Sequence, residues 1–398
     1  MSRYVMCMSI LNKTNATGPS GRARLLVAAK DQLFEFPPSE AGVRKLARRA
    51  GVHHTFIAQS FGGLQSVLSE AYRLSFEDFK SVLNTSRWPE QQSLPGSDHA
   101  FWRIYANRVL DGTSSAEIVS DEYADPILLL AAKISDFRPK LDVKKCHLLA
   151  LASWNIHLGS YLFRHILARG LGVELDKTNK MMTQVSGLTS MMCMTQNFSI
   201  AARKTATKQL DLEADYFQTA AVNGGEGQLV KAAIRILLEN SSQNISGREL
   251  AKTAGVNYGL IHHHFGSKQS VFDAAFKTLH SSYVNDMVDA DSQRLSEPFS
   301  LLAHSGFVQA WARRELAGID TPDVPFTGMA KTLDLLRPTV STSDITEDSI
   351  KAKAWCLVSF QLGYAVYQID QDKNLRLDTV AGLRTIYDVL LSRWRKPS

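Results

Sequence analysis

Residues 247–276 read GRELAKTAGVNYGLIHHHFGSKQSVFDAAF, and this stretch decides the fold. Ser246 and Glu249 have the spacing of a capping box, which predicts that a helix begins here. Gly255 can take the left-handed conformation that ends such a helix. A second short helix is predicted to begin near Asn257, after a tight turn.

The flanking residues extend this pattern on both sides. Ser267 can cap a further helix. Upstream, apolar residues recur at helical spacing and predict an amphipathic helix: Leu229, Ala232, Ala233, Ile236 and Leu237. Two short helices joined by a glycine-containing turn, behind a first packing helix, make a helix-turn-helix unit.

The same pattern occurs 204 residues earlier. Residues 43–72, VRKLARRAGVHHTFIAQSFGGLQSVLSEAY, align without a gap with residues 247–276. Further along the chain, residues 101–112 are similar to residues 307–318. A repeat this long is a pair of whole domains rather than a solenoid unit. The sequence therefore predicts an all-α protein made of two similar units fused head to tail.

The composition narrows the class of protein. Of the 398 residues 44% are hydrophobic and 21% are charged, as in a soluble globular protein. The net charge of +6 favours an anionic partner, and residues 1–204 hold the basic excess, with 25 Lys and Arg against 17 Asp and Glu. Four scattered cysteines indicate a reducing cytoplasm. We find no stretch of 18 apolar residues, signal peptide or cofactor motif, and expect no membrane partner and no cofactor.

Three consecutive histidines, His262, His263 and His264, raise the question of a metal site. Successive side chains on a helix lie about 100° apart, so these three cannot converge on one ion. The position four residues after His262 is Gly266, and the one after His264 is Lys268. We therefore expect no metal. A helical enzyme is also disfavoured, because no paired carboxylates or nucleophile with a base can be picked out, and we expect no catalytic residue.

Residues 247–276 resemble the DNA-binding domain of the tetracycline-repressor (TetR) family. That family places Ala-Gly-Val at the turn, then Tyr-x-His-Phe, then a lysine three residues later. Here His262 stands at the tyrosine position, and His264, Phe265 and Lys268 match. The resemblance implies an N-terminal DNA-binding domain followed by a helical domain that binds a ligand and dimerises. Because such proteins usually act as homodimers, the tandem chain resembles a dimer written as one chain, and we expect a monomer that is internally a pseudo-dimer.

The resemblance also assigns roles on double-stranded DNA. It places Asn257, Tyr258, Gly259 and His263 in the major groove, and His262, His264, Lys268 and Arg248 among the other DNA contacts, mainly near phosphates. The alternative is that the histidines are a solvated helix surface.

The first unit keeps its core but changes at its polar positions. The three histidines become Ala58, Gln59 and Ser60, and the lysine becomes Leu64. Its second helix is nevertheless basic, and two histidines open the next one. Phosphate contact is predicted for the basic helix, with a solvated charged face as the alternative: Arg44, Lys45, Arg48 and Arg49. His53 and His54 are also predicted to contact DNA.

The repeat divides the chain into six segments. These are a disordered tail at 1–20, a degenerate helix-turn-helix domain at 21–72, a helical regulatory domain at 73–198, a linker at 199–224, a helix-turn-helix domain at 225–278 and a second helical regulatory domain at 279–398. Aromatic residues at helical spacing are candidates for a pocket for an unknown small-molecule effector, although such residues are more often plain core: Phe101, Trp102, Tyr105, Phe307 and Trp311.

The sequence thus predicts a DNA-binding regulator, a ligand-responsive repressor acting as a single-chain pseudo-dimer on an asymmetric operator. The rival hypothesis is a helical sensor or interaction protein that has lost sequence-specific DNA binding.

Overall fold

The structure is a computed structural model that describes residues 20–85, 88–89, 100–111, 125–195, 224–238, 245–289, 304–319, 327–337, 346–371 and 377–395. Within these ranges the chain forms α-helices and two short 3-10 turns, and it has no β-strand. The all-α class predicted from the sequence is therefore confirmed for the described residues. The predicted tail and linker lie almost wholly outside them.

The chain divides into two compact units. The first comprises residues 1–82 and 99–124, and the second comprises residues 83–98 and 125–398. The helices of the first unit are α1 (Gly21–Glu35), α2 (Val43–Ala50), α3 (Thr55–Phe61), most of α4 (Leu64–Thr85) and α5 (Ala100–Leu110), with a 3-10 turn at Pro38–Glu40.

The second unit holds the remaining helices. They are α6 (Pro126–Phe137), α7 (Val143–Leu162), α8 (Arg164–Gly170), α9 (Thr178–Thr195), α10 (Gly225–Leu238), α11 (Gly247–Ala254), α12 (Gly259–Phe265), α13 (Lys268–Asp289), α14 (Ser305–Ala317), α15 (Thr327–Leu336), α16 (Glu347–Gln371) and α17 (Leu377–Arg395), with a 3-10 turn at Leu175–Lys177.

These units differ in extent from the two halves of the sequence repeat. Helices α6 to α9, which the repeat assigns to the first half, belong to the same compact unit as the whole second half. The reason is that α7 packs along α16 and is buried over almost its whole length. The apolar surface of α7 is thus covered in part by the second half of the chain, besides its contacts with α6 and α9.

Equivalent hydrogen bonds occur inside each unit. In the first unit, Nδ2 of Asn107 on α5 donates to the carbonyl oxygen of Leu33 at 2.9 Å. In the second, a guanidinium nitrogen of Arg313 on α14 donates to the carbonyl oxygen of Leu237 at 3.1 Å. Leu33 and Leu237 are 204 residues apart. In both cases the bond satisfies a carbonyl group that the end of a helix leaves without an intrahelical partner.

A buried arginine also lies over an aromatic ring in each unit. Arg108 stands 4.6 Å from the ring centroid of Tyr72, and Arg314 stands 4.7 Å from that of Phe276. Both guanidinium groups are buried, where a cation over a ring face is favourable. Within each unit, the same contact therefore joins the helix after the helix-turn-helix to the next helix along the chain.

Helices α7 and α16 cross at two glycines. A Cβ atom added to Gly159 would lie 2.9 Å from the carbonyl carbon of Ser359, and one added to Gly363 would lie 2.7 Å from that of Asn155. Gly159 and Gly363 are 204 residues apart, and so are Asn155 and Ser359. Exchanging the two repeats thus turns one contact into the other, as in an isologous interface about a two-fold axis.

Candidate nucleic-acid interface

The second helix-turn-helix is shaped by local capping signals. The side chain of Ser246 accepts a hydrogen bond from the backbone of Glu249 at 3.2 Å, and the Glu249 carboxylate accepts one from the backbone of Ser246 at 2.6 Å. This confirms the predicted capping box, and the bond from the Ser246 backbone lowers the pKa of Glu249. Gly255 ends α11 with φ 67°, in the left-handed region. Ser267 caps α13 by accepting from the Ser270 backbone at 3.1 Å.

Helix α12 is the candidate recognition helix. Asn257 stands just before it, and its side-chain oxygen accepts from the backbone of Gly259 at 2.8 Å. Ile261 is buried on the inner side, and Leu260 packs against Gly225 at the start of α10. The remaining side of α12 is exposed. Asn257 is thereby both exposed and engaged in starting the helix.

Tyr258 and His262 form a bridge along the outer face of α12. The hydroxyl of Tyr258 lies 3.0 Å from Nε2 of His262, and Nδ1 of His262 lies 3.1 Å from the carbonyl oxygen of Gly266. Because a carbonyl only accepts, Nδ1 carries the proton, and Nε2 of the neutral ring accepts from the tyrosine. The Tyr258 ring also covers Gly247, where a Cβ atom would lie 2.7 Å from the ring. Both side chains thus hold the local structure together.

His263, His264 and Lys268 are arranged differently from this bridge. The rings of His263 and His264 are exposed and touch each other at a centroid distance of 4.7 Å. Within the described part of the chain, no hydrogen bond engages their ring nitrogens. Lys268 donates to the carbonyl oxygen of Ile245 at 3.0 Å, which brings its ammonium group beside the loop before α11. Arg248 is exposed on α11.

Two arginines of α1 fasten the first helix-turn-helix. Arg22 donates to the carbonyl oxygen of Ser60 at 2.5 Å and to the carboxylate of Glu70 at 2.6 Å. Arg24 donates to the carbonyl oxygen of Ala50, at the end of α2, at 3.1 Å. These bonds could not be predicted from the sequence, where the two arginines are only part of a basic excess. They hold together a unit whose α2 has no capping box.

The basic residues of α2 fall into two groups. Arg49 makes a two-pronged ion pair with Glu35, with distances of 2.5 and 2.7 Å, and this pairing lowers the pKa of Glu35. Lys45 stands 4.0 Å from the ring centroid of Phe36. Two further arginines are exposed, and no hydrogen bond or ion pair holds them within the described ranges: Arg44 and Arg48.

The histidines before α3 are also exposed. Nδ1 of His53 lies 2.8 Å from the hydroxyl of Thr55, and the rings of His53 and His54 touch at a centroid distance of 4.3 Å. The exposed positive groups of this unit therefore include those of α2 and of the turn that follows it.

The aromatic residues predicted as pocket candidates pack into two clusters. In the first unit, Phe101 is surrounded by four rings at centroid distances of 4.8 to 6.0 Å, and Trp102 meets Phe79 edge-on. The four rings are those of Tyr72, Phe76, Phe79 and Tyr105. This cluster is close-packed core.

The second cluster is formed around Phe307. Phe307 contacts Tyr283 at 5.1 Å and Trp311 at 5.6 Å between ring centroids. Nε1 of Trp311 and Nε2 of His280 are buried without a hydrogen-bond partner among the described residues. The rings of His304 and Tyr283 pack in a T-shaped arrangement. Burial lowers the pKa of His304 to about 4.

The described residues offer neither a metal-binding cluster nor a membrane-spanning helix. They contain no group of three or more His, Cys, Asp or Glu side chains placed to hold a metal ion. None of their helices combines the length and apolar character needed to cross a bilayer.

Comparison with known proteins agrees with the second helix-turn-helix. Residues 229–275, from α10 into α13, match the family described as "Bacterial regulatory proteins, tetR family". The chain is 37% identical over 62 residues to the HTH-type transcriptional regulator BetI of Rhizobium meliloti. The aligned segment covers 16% of this chain and 30% of that protein. It is 33% identical over 81 residues to BetI of Agrobacterium fabrum, covering 20% and 39%. The chain therefore contains a tetR-family segment, and it spans well under half the length of these relatives.

Proposed function

We propose that the protein is a DNA-binding transcriptional regulator. It is a ligand-responsive repressor that acts as a single-chain pseudo-dimer. The observation that carries this proposal is the tetR-family match over residues 229–275. It coincides with a helix-turn-helix whose second helix, α12, leaves one side exposed. The curated relatives that share this segment are named as transcriptional regulators.

On DNA, α12 enters the major groove. His263 supports base contact because its ring nitrogens are exposed, and Gly259 lets the backbone approach closely because it has no side chain. Lys268 stands at the edge of the unit, where its ammonium group can reach a phosphate after leaving the Ile245 carbonyl. Tyr258 and His262 approach DNA as a bridged pair, so that one cannot move without the other.

The first helix-turn-helix contributes charge more than base recognition. Arg44 and Arg48 are exposed guanidinium groups of α2 that no ion pair holds among the described residues, whereas Arg49 is paired with Glu35. The α3 positions that match the histidines of α12 are occupied by Ala58, Gln59 and Ser60. Contacts to phosphate fix position and add affinity but read no sequence.

The two halves pair inside one chain. The reciprocal crossing at Gly159 and Gly363 supports this, because such contacts arise when two similar surfaces meet about a two-fold axis. The recurring contacts of Arg108 and Arg314 support the view that the halves are copies of one domain plan. Covalent linkage gives the second half a high effective concentration, so a second chain is not required.

The effector binds at the second aromatic cluster. This cluster presents two buried polar atoms, on Trp311 and His280, that a ligand could satisfy. An aromatic wall with a few polar groups is the common composition of small-molecule sites.

The proposal is tested by footprinting and mobility-shift assays with DNA upstream of the protein's own gene. The wild-type chain should protect a discrete site, and His263→Ala should weaken binding to it while reducing the difference between this site and unrelated DNA. Lys177→Ala, on the 3-10 turn at Leu175–Lys177, is a control that should bind as the wild type does. Equal affinity of the wild type for all sequences would favour the rival hypothesis, a sensor or interaction protein without sequence-specific binding.

A further inference from the structure

The interface between α7 and α16 contains a buried polar trio on one side of its crossing. Nε1 of Trp355 donates to the hydroxyl of Ser160 at 3.0 Å, and that hydroxyl donates to the hydroxyl of Ser359 at 2.9 Å. All three side chains are essentially inaccessible to water. Each buried polar atom therefore depends on the others for its hydrogen bonds.

The repeat allows this trio to be compared with the equivalent positions on the other side of the crossing. Residues 204 positions away from Trp355, Ser359 and Ser160 are Leu151, Asn155 and Tyr364. These positions do not reproduce the trio. In the described part of the chain, both side-chain polar atoms of Asn155 are buried without a hydrogen-bond partner. The backbone crossing is thus symmetric, whereas its side chains are not.

We propose that this asymmetry makes the interface selective: α7 pairs with the α16 of its own chain and does not pair with the α7 of a second copy, nor α16 with a second α16. This proposal rests on the internal pairing proposed above and adds to it a means of choosing the partner. The surface of α16 fits α7, because α7 has the small side chain of Ser160 at this position.

The steric consequence follows from exchanging one helix. If α16 met a second α16 about the same axis, Tyr364 would occupy the place of Ser160. Its phenol ring would then stand where Trp355 now reaches a serine at 3.0 Å. Two such overlaps would occur in each symmetric pair, and close-packed interiors tolerate added volume poorly.

If α7 met a second α7, the opposite fault would appear. Ser160 would face Leu151 and Asn155 and would lose the donor supplied by Trp355. Because Leu151 is much smaller than Trp355, each copy would also leave a cavity beside Ser160, which is unfavourable. Both homotypic pairs are therefore worse than the heterotypic one.

The test is a pair of size exchanges in the full chain. Ser160→Tyr puts the large residue of α16 into α7, where it should clash with Trp355 and lower Tm by roughly 5 °C or more. Adding Trp355→Leu makes this side of the interface resemble the other side, which has Leu151 and Tyr364. The double variant should therefore melt above Ser160→Tyr, although Trp355→Leu alone melts below the wild type.

Ser160→Ala is the matched control, because it removes the hydrogen bonds without adding volume. It should lower Tm less than Ser160→Tyr and leave the chain a monomer by light scattering. The proposal is wrong if Ser160→Tyr is as stable as Ser160→Ala. It is also wrong if the losses of stability from Ser160→Tyr and Trp355→Leu simply add in the double variant, because the interface is then not selective by size.

A double-cysteine variant distinguishes a failure of this proposal from a failure of internal pairing. The Ser160 and Ser359 hydroxyl oxygens are 2.9 Å apart, so Ser160→Cys/Ser359→Cys brings two thiols within reach of a disulfide. Mild oxidation should give a cross-linked chain of monomer mass, and Ser160→Cys alone should not. A cross-linked species of twice that mass would overturn pairing within one chain, whereas monomer-mass product combined with additive exchanges would overturn only the selectivity.

Discussion

Replacing Gly363 by alanine should destabilise the protein, because the new methyl group has no room. An added Cβ would lie 2.7 Å from the carbonyl carbon of Asn155, whereas carbon atoms in contact are normally ~3.5–4.0 Å apart. The carbonyl group belongs to the backbone of α7, and the Cβ position is fixed by the backbone of α16, so neither can rotate away as the end of a side chain can. Helices α7 and α16 would therefore have to separate by roughly 1 Å.

The magnitude follows from two opposing effects. Overpacking of a close-packed interior costs typically ~1–3 kcal/mol, and a clash between backbones belongs at the upper end. Alanine is favoured over glycine inside a helix by ~1 kcal/mol, which offsets part of this cost. The net loss is about 2 kcal/mol, which corresponds to a fall in Tm of roughly 4 °C for a unit of this size.

The assay is thermal unfolding followed by circular dichroism, with Gly187→Ala as the matched control. Gly187 lies within α9, and a Cβ there meets nothing within 4 Å, so this substitution should raise Tm slightly. Gly159→Ala, at the equivalent position of the repeat, should behave as Gly363→Ala does. A Gly363→Ala protein that melts at or above the wild-type temperature would refute the close crossing of the two helices.

Further predictions concern DNA binding and pH. Lys268→Ala should weaken binding about equally on all sequences and lower the slope of log affinity against log salt by about 1; an unchanged slope in a salt titration would remove this lysine from the interface. Arg48→Ala should reduce the salt dependence more than Arg49→Ala, since Glu35 already neutralises Arg49; equal effects in the same titration would contradict this. Base-by-base substitution of the protected site should cost ~1–3 kcal/mol per mismatch in one half-site and less in the other, whereas a palindrome with equal costs would show that two chains bind through the second unit. Burial lowers the pKa of His157 to about 4, below its ordinary value of 6.5. Because the unfolded chain binds the proton more readily, the contribution of the neutral ring to stability is complete above pH 6.5 and is lost as the pH falls towards 4. This contribution is at most about 3 kcal/mol. Replacing His157 by glutamine should flatten the fall in urea stability over this range, and an unchanged pH profile would exclude His157 as its source.

The sequence by itself determined the local structure of the second helix-turn-helix. The capping box at Ser246, the left-handed Gly255 and the cap at Ser267 were all predicted from residue type and spacing, and the structure confirms them. Such signals can be recognised because a cap or a turn depends on groups within about four residues along the chain. The repeat could also be detected in the sequence, since its detection requires only that the sequence be compared with itself.

Tertiary structure decided what each side chain touches. Arg48 and Arg49 are neighbours of the same type, yet Arg49 is paired because Glu35 of α1 lies beside it. Tyr258 and His262 were both assigned to DNA from the sequence, and in the fold they bond to each other. Periodicity along a helix states which residues share a face, but it does not state what lies opposite that face.

The division into compact units was also decided by tertiary structure and not by the sequence repeat. The repeat places α7 in the first half of the sequence, whereas packing against α16 places it in the second compact unit. Gly159 and Gly363 were visible in the sequence only as a matching pair. Their role as the crossing point depends on two backbones that are about 200 residues apart along the chain meeting closer than a methyl group allows. That proximity is a property of the folded chain, because only packing brings segments so distant in sequence into contact.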